Sequence, residues 1–170
     1  MTITAREAPP VLDIEASGFG RGSYPIEVGY VLEDGQSHCM LIRPAPHWTH
    51  WDPVAERLHG IRREDLLQYG SPICEVVEEL NYRLCDRTMY TDAWVHDYSW
   101  LATLYEVAHR VPTFRLENLL ALLTEDEIDR WLAAEERIAA ELSVPRHRAC
   151  ADAQRLQATF RSLSARAARE

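Results

Sequence analysis

Apolar and polar positions alternate with a period of two near the start of the chain and with a period near 3.6 further on. Val11 to Glu15 reads as a buried strand, and Gly18 to Ser23, with three glycines, as a tight loop. Pro25 to Leu32 alternates and predicts a second strand. The Asp-Gly pair in Glu33-Asp34-Gly35-Gln36 signals a hairpin turn into a third, antiparallel strand over Ser37 to Ile42. Arg43 to Asp52 is an irregular loop in which Trp48 and Trp51 are expected to be exposed. Asp52-Pro53 is a cap and first-turn pair for a helical turn to Leu58, broken by His59-Gly60-Ile61. A short helix follows from Arg63 to Gln68, and Ser71-Pro72 starts a longer one to about Cys85.

Arg87 to Thr91 fits a fourth strand. Helical periodicity then runs from Asp97 to His109 through Trp100, Leu101, Leu104, Val107 and Ala108. Phe114 to Leu116 is a further strand candidate, and Thr124-Glu125-Asp126-Glu127 is a capping box opening a charged helix to about Leu142. Pro145 ends that region, and a last helix is expected from Ala149 to Ala167. Strands first, then helices mixed with strands, predict an α/β domain with a mixed sheet. Without repeats or linkers, one domain is expected over residues 1–170, with its core at about 10–165.

Composition narrows the partners. The chain has 170 residues, 46% hydrophobic and 26% charged, enough for a sizeable core. Its apolar runs fall well short of the roughly 18 residues that span a bilayer, and Met1 to Pro10 lack the features of a signal peptide. The expectation is a cytoplasmic protein with no membrane partner. Net charge is −9, and all 18 basic residues are arginine. Such a chain is poorly suited to gripping long nucleic acid non-specifically, though a local pocket could still take a short piece. Cys39, Cys74, Cys85 and Cys150 show no CxxC spacing and are expected to be buried free thiols.

The chemistry lies in the carboxylates. On a strand Asp13 and Glu15 point the same way and repel each other, and both are poor strand residues. A divalent cation would relieve that repulsion; two ordinary charges where a strand runs into solvent would need no such account. Asp97 follows the fourth strand, and Asp152 starts the last helix with His147 five residues before it. Read singly, Asp97 is a helix cap, Asp152 a first-turn acid and His147 a surface histidine. Arg146 and Arg148, flanking His147, either meet phosphate or are solvated. Trp94, Tyr98 and Trp100 read as core rather than as base-stacking platforms.

Taken together and in order, DxE at the first strand, Asp97 before Trp100 and Leu101, and HxxxxD near the C-terminus resemble the DEDDh exonucleases. These are the DnaQ-like 3′–5′ exonucleases, which include the proofreading epsilon subunit, RNase T and oligoribonuclease. His59-Gly60-Ile61 and Pro25-Ile26-Glu27-Val28-Gly29 are also similar to that family, and the resemblance runs from about Pro10 to Phe160. It implies a ribonuclease H-like mixed β-sheet, an antiparallel meander followed by parallel strands, flanked by helices. It implies two divalent ions, Mg²⁺ or Mn²⁺, about 4 Å apart, with Asp13 bridging them. Glu15 and Asp152 would hold the ion carrying the attacking water, and Asp97 would complete the site. By the same resemblance His147 is the general base. Ala16, Ser17 and Gly18 would approach the terminal nucleotide, with His59 and Ile61 beside its base.

The implied activity is hydrolysis of phosphodiester bonds at the 3′ end of short single-stranded DNA or RNA, and the resemblance also allows a homodimer. One departure stands out: Asp92-Ala93 occupies the place where many members carry His-Asn, adding a negative charge near the metals. Two other readings follow, a non-catalytic module binding nucleic acid or protein, and a hydrolase of a small nucleotide phosphodiester.

Overall fold

The computed structural model describes residues 7–142 and 147–167. Five strands form one sheet in the order β3-β2-β1-β4-β5. The strands are β1 (Val11–Ala16), β2 (Pro25–Val31), β3 (Ser37–Leu41), β4 (Thr88–Thr91) and β5 (Arg115–Asn118). β1, β2 and β3 pair antiparallel, whereas β4 runs parallel to β1 and β5 parallel to β4. The meander and mixed α/β sheet expected from the periodicity are therefore present. The helices are α1 (Pro53–His59), α2 (Arg63–Tyr69), α3 (Ile73–Leu84), α4 (Trp94–Ala108), α5 (Glu125–Leu142) and α6 (Ala149–Ala167).

Side-chain alternation sorts the sheet into two faces. Leu12, Ile14, Ile26, Val28 and Tyr30 pack with Leu80, Leu84, Leu101 and Leu104 of α3 and α4. On the other face Val11 and Val31 pack with Trp131 of α5 and with Ala153, Leu156 and Phe160 of α6. Asp13 and Glu15 share the Val11 face, so the DxE pair points to the side that α6 covers. No helix among the described residues is long and apolar enough to cross a membrane.

One close approach governs how α6 lies. Across the sheet, Asp13 of β1 is level with Gly29 of β2, and Gly29 with Cys39 of β3. A Cβ on Gly29 would fall 2.3 Å from the Ala149 carbonyl carbon and 2.3 Å from the Cys150 nitrogen. Only glycine lets the first turn of α6 rest on β2 here.

Several expectations are corrected. Cys39 and Cys150 are not free thiols but are joined in a disulfide with their Cα atoms 5.5 Å apart, while Cys74 and Cys85 are free and exposed rather than buried. Sequence spacing could not show the pairing, because the half-cystines are 111 residues apart and meet only once α6 lies on the meander. Trp48 is buried, stacked on Tyr24 at 5.0 Å, and Trp51 is half-buried with its indole N–H donating to Glu56 at 2.6 Å. The loop thus spends its aromatics on packing. α4 begins at Trp94, three residues before Asp97, because the Ala93 carbonyl accepts the His96 and Asp97 N–H groups. Asp97 therefore lies within the first turn rather than capping it.

The disulfide closes a long loop, so Cys39→Ser should lower stability by about 2–4 kcal/mol. Denaturant unfolding of the variant and of reduced wild type checks this, and the two midpoints should coincide.

Candidate active site

At the C-terminal end of β1, residues from four parts of the chain line one cleft of about 270 Å³. Asp13 and Glu15 come from β1, and Asp97 reaches in from the first turn of α4. His147 and Asp152 enter at the start of α6, with His59 from the end of α1. Ala16 and Gly18 also line it. All four acids and the histidine picked out in the sequence thus meet. Ser17 and Ile61 do not line the cleft. Ser17 is buried behind it, its hydroxyl accepting the Tyr24 N–H at 3.1 Å and lying 2.9 Å from His50 Nδ1, and Ile61 packs in the core.

The acids are held under electrostatic load. Burial raises the Asp13 carboxyl well above its usual range, and the neighbouring Asp97, Glu15 and Asp152 raise it further. Burial likewise lifts Glu15 to about 7, with Asp152 and Glu27 adding to it against the pull of Arg148 and Arg155. Asp97 is also lifted to about 7, mainly by burial, although the Thr91 hydroxyl donates to its Oδ2. Asp97 Oδ1 is buried without a hydrogen bond of good geometry, although the Ile14 backbone acts on the carboxyl and lowers its pKa.

Asp152 is tied on both sides. Its Oδ2 accepts the His147 N–H at 2.9 Å, and its Oδ1 lies 2.6 Å from Arg155 Nη1 in an ion pair. His147 itself adopts φ 59°, the left-handed region that non-glycine residues rarely occupy. One donor atom each from Glu15, His147 and Asp152 lie within 4.8 Å of one another. Hard carboxylate oxygens and raised pKa values fit a divalent cation. Asp13, Glu15, Asp152 and Asp97 would hold it.

An aromatic wall was missed in the sequence. Phe19, in the glycine loop, is 66% exposed at the rim and sits edge-on to His96 at 5.1 Å, while His96 stacks on Trp100 at 5.6 Å. Trp100, expected to be core, is buried yet faces the cleft, its indole N–H donating to Ser23. The signal was present in the i, i+4 spacing of His96 and Trp100, which puts both on one flank of α4, and in an aromatic held between two glycines. Arg148 is paired with Glu27 at 2.6 Å; Arg146 lies outside the described residues.

No protein-family model matches the chain, and no curated protein matches it by sequence. Solved structures do. E. coli Exonuclease I in complex with a dA16 oligonucleotide aligns over 94% of this chain with a TM-score of 0.70 at 13% identity. The zinc-bound form of the E. coli ExoI–ssDNA complex aligns over 92% with a TM-score of 0.70 at 13% identity. A moderately thermophilic Exonuclease I from Methylocaldum szegediense aligns over 89% with a TM-score of 0.67, again at 13% identity. The fold is ribonuclease H-like. The chain spans about two-fifths of each of those proteins, 41%, 40% and 39% respectively. Within the ribonuclease H-like sheet, the cleft lies where β1 ends beside the parallel strand β4.

The raised acids set a sign for stability against pH. Folded Glu15 and Asp97 titrate near 7, whereas unfolded carboxylates titrate near 4. The folded state therefore binds more protons between those values, and stability falls as pH rises from about 4 to 7. In chelator the protein should be less stable at pH 8 than at pH 5, by on the order of 2 kcal/mol. Mn²⁺ should restore most of the loss at pH 8 and little at pH 5. Thermal melts at both pH values, with and without Mn²⁺, check this, and Asp13→Asn should flatten the dependence.

Proposed function

We propose that this chain is a metal-dependent 3′–5′ exonuclease acting on short single-stranded nucleic acid. The observation that carries the reading is the meeting of Asp13, Glu15, Asp97 and Asp152 with His147 in one cleft. A module that merely binds a partner gains nothing from carboxylates that oppose one another's ionisation.

Phosphodiester hydrolysis needs positive charge at the phosphate, an activated water and a proton acceptor. Among the described residues, Arg155 is already paired with the cleft acid Asp152, and Arg148 is paired with Glu27. The charge must therefore come from elsewhere, and divalent ions held by the four acids would supply it and activate the water. His147, held at the entrance of α6, would take the proton from that water. Ala16 and Gly18 line the cleft, and His59 faces the same space with its Nε2 unpartnered. The Phe19, His96 and Trp100 wall gives a base a surface to stack on, whatever its identity. That wall favours an end nucleotide with its base unpaired, hence a single strand. The oligonucleotides named in the E. coli Exonuclease I structures make single-stranded DNA the first substrate to try.

With 5′-labelled single-stranded DNA and RNA in Mg²⁺ or Mn²⁺, a ladder shortening from the 3′ end is expected, absent in chelator and in Asp13→Ala. His147→Ala should lower kcat about 10²–10⁴-fold, and Phe19→Ala should raise KM about tenfold with a smaller change in kcat. Turnover of mononucleotide esters without the ladder would replace this reading with that of a small-substrate hydrolase. Metal binding with no turnover of either would leave a binding module.

A further inference from the structure

Glu27 is a carboxylate buried to 1% exposure that does not line the cleft. It lies on β2 directly across from Glu15, so two like charges face each other in neighbouring strands. Burying such a group is costly unless its partners are well placed. Its partners all belong to one corner of the chain. Arg148 Nε reaches both Glu27 oxygens at 3.2 and 3.1 Å, Arg148 Nη2 reaches Oε1 at 2.6 Å, and the Ala149 N–H donates to Oε2 at 2.9 Å. The residue just before that corner is His147, in its left-handed conformation, with its own N–H held by Asp152. Asp152 N–H in turn donates to the Arg148 carbonyl at 2.9 Å. Two carboxylates thus grip residues 147–149 from opposite sides, one from α6 and one from β2. Gly29, two residues along β2, lets the helix come close enough for the grip to form.

We propose that Glu27 is a positioning residue for His147. Its carboxylate clamps Arg148 and Ala149 and so holds the left-handed corner from which the His147 imidazole faces the cleft. The inference rests on His147 being the proton acceptor of the proposed hydrolysis. A left-handed non-glycine residue persists only where its surroundings over-determine it, and Glu27 supplies that constraint from outside α6. Misplacing a catalytic group by about 1 Å can cost on the order of 10² in rate.

The test compares Glu27→Ala and the isosteric Glu27→Gln with wild type in three measurements. In steady-state kinetics Glu27→Ala should lower kcat about a hundredfold with KM and Mn²⁺ affinity within about threefold. Glu27→Gln, which keeps an acceptor for Ala149, should recover to within about tenfold of wild type. In a His147→Ala background, Glu27→Ala should lower kcat no further, because residues acting as a unit are not additive. In NMR of labelled protein, the His147 ring signal should shift or broaden in both variants while signals from β4 and β5 stay in place. Additive loss of kcat, an unchanged kcat in Glu27→Ala, or an unmoved His147 signal would each overturn the proposal. If Glu27→Ala does not fold, the Glu27→Gln kinetics and spectrum carry the test. If wild type hydrolyses nothing, the exonuclease reading fails by itself, and the His147 signal still decides whether Glu27 positions that ring.

Discussion

The crowding of like charge at the end of β1 is the constraint that the site answers to. Asp13 and Glu15 alternate onto one face, Asp97 enters over the end of β4, and Asp152 is brought down by α6. Burial and mutual repulsion lift Glu15 and Asp97 to about 7 and Asp13 well above its usual range. Stability favours apolar residues at such places, so these acids oppose the fold that carries them. They are held by what surrounds them: Thr91 on Asp97, Arg155 and the His147 N–H on Asp152, and two apolar layers on either side of the sheet.

The seating of α6 decides whether those acids form one site or several separate charges. Its first turn crosses the row Asp13, Gly29, Cys39, resting on bare backbone at Gly29 and joined to β3 through Cys150. Glu27, two residues along β2 on the same face, draws the same turn down. Three independent restraints therefore act within residues 147–152, the segment that brings His147 and Asp152 to the cleft. By contrast the opposite wall is built from Phe19 on an exposed loop against two residues of α4, and its outer edge is open to solvent. The cleft is rigid where charge must be held and open where a ring could slide in.

Much of this was legible from residue order. Period-two alternation located the meander, the Asp-Gly turn set the pairing of β2 and β3, and the capping box at Thr124 located the start of α5. The acids and His147 were readable because each falls at an element edge in a recognisable order. What was not legible depends on contacts distant in sequence. Cys39 and Cys150 meet only across the packed helix, and Glu27 looked like one more strand residue until Arg148 arrived from 121 positions away. Trp48 looked exposed because its loop is polar, yet Tyr24 provides a stacking face that no local pattern reveals. Trp100 is in the core as its periodicity implied and lines the cleft as well, since a residue can be buried and still face a cleft.

The most direct test of the account is an anomalous difference map from crystals soaked in Mn²⁺ above pH 7. Density bounded by Asp13, Glu15 and Asp152, with Asp97 close by, is expected, and the signal should be lost in Asp13→Ala crystals. A map empty at that cleft, with Arg155 still the cation facing Asp152, would contradict the claim that these acids were gathered to hold metal.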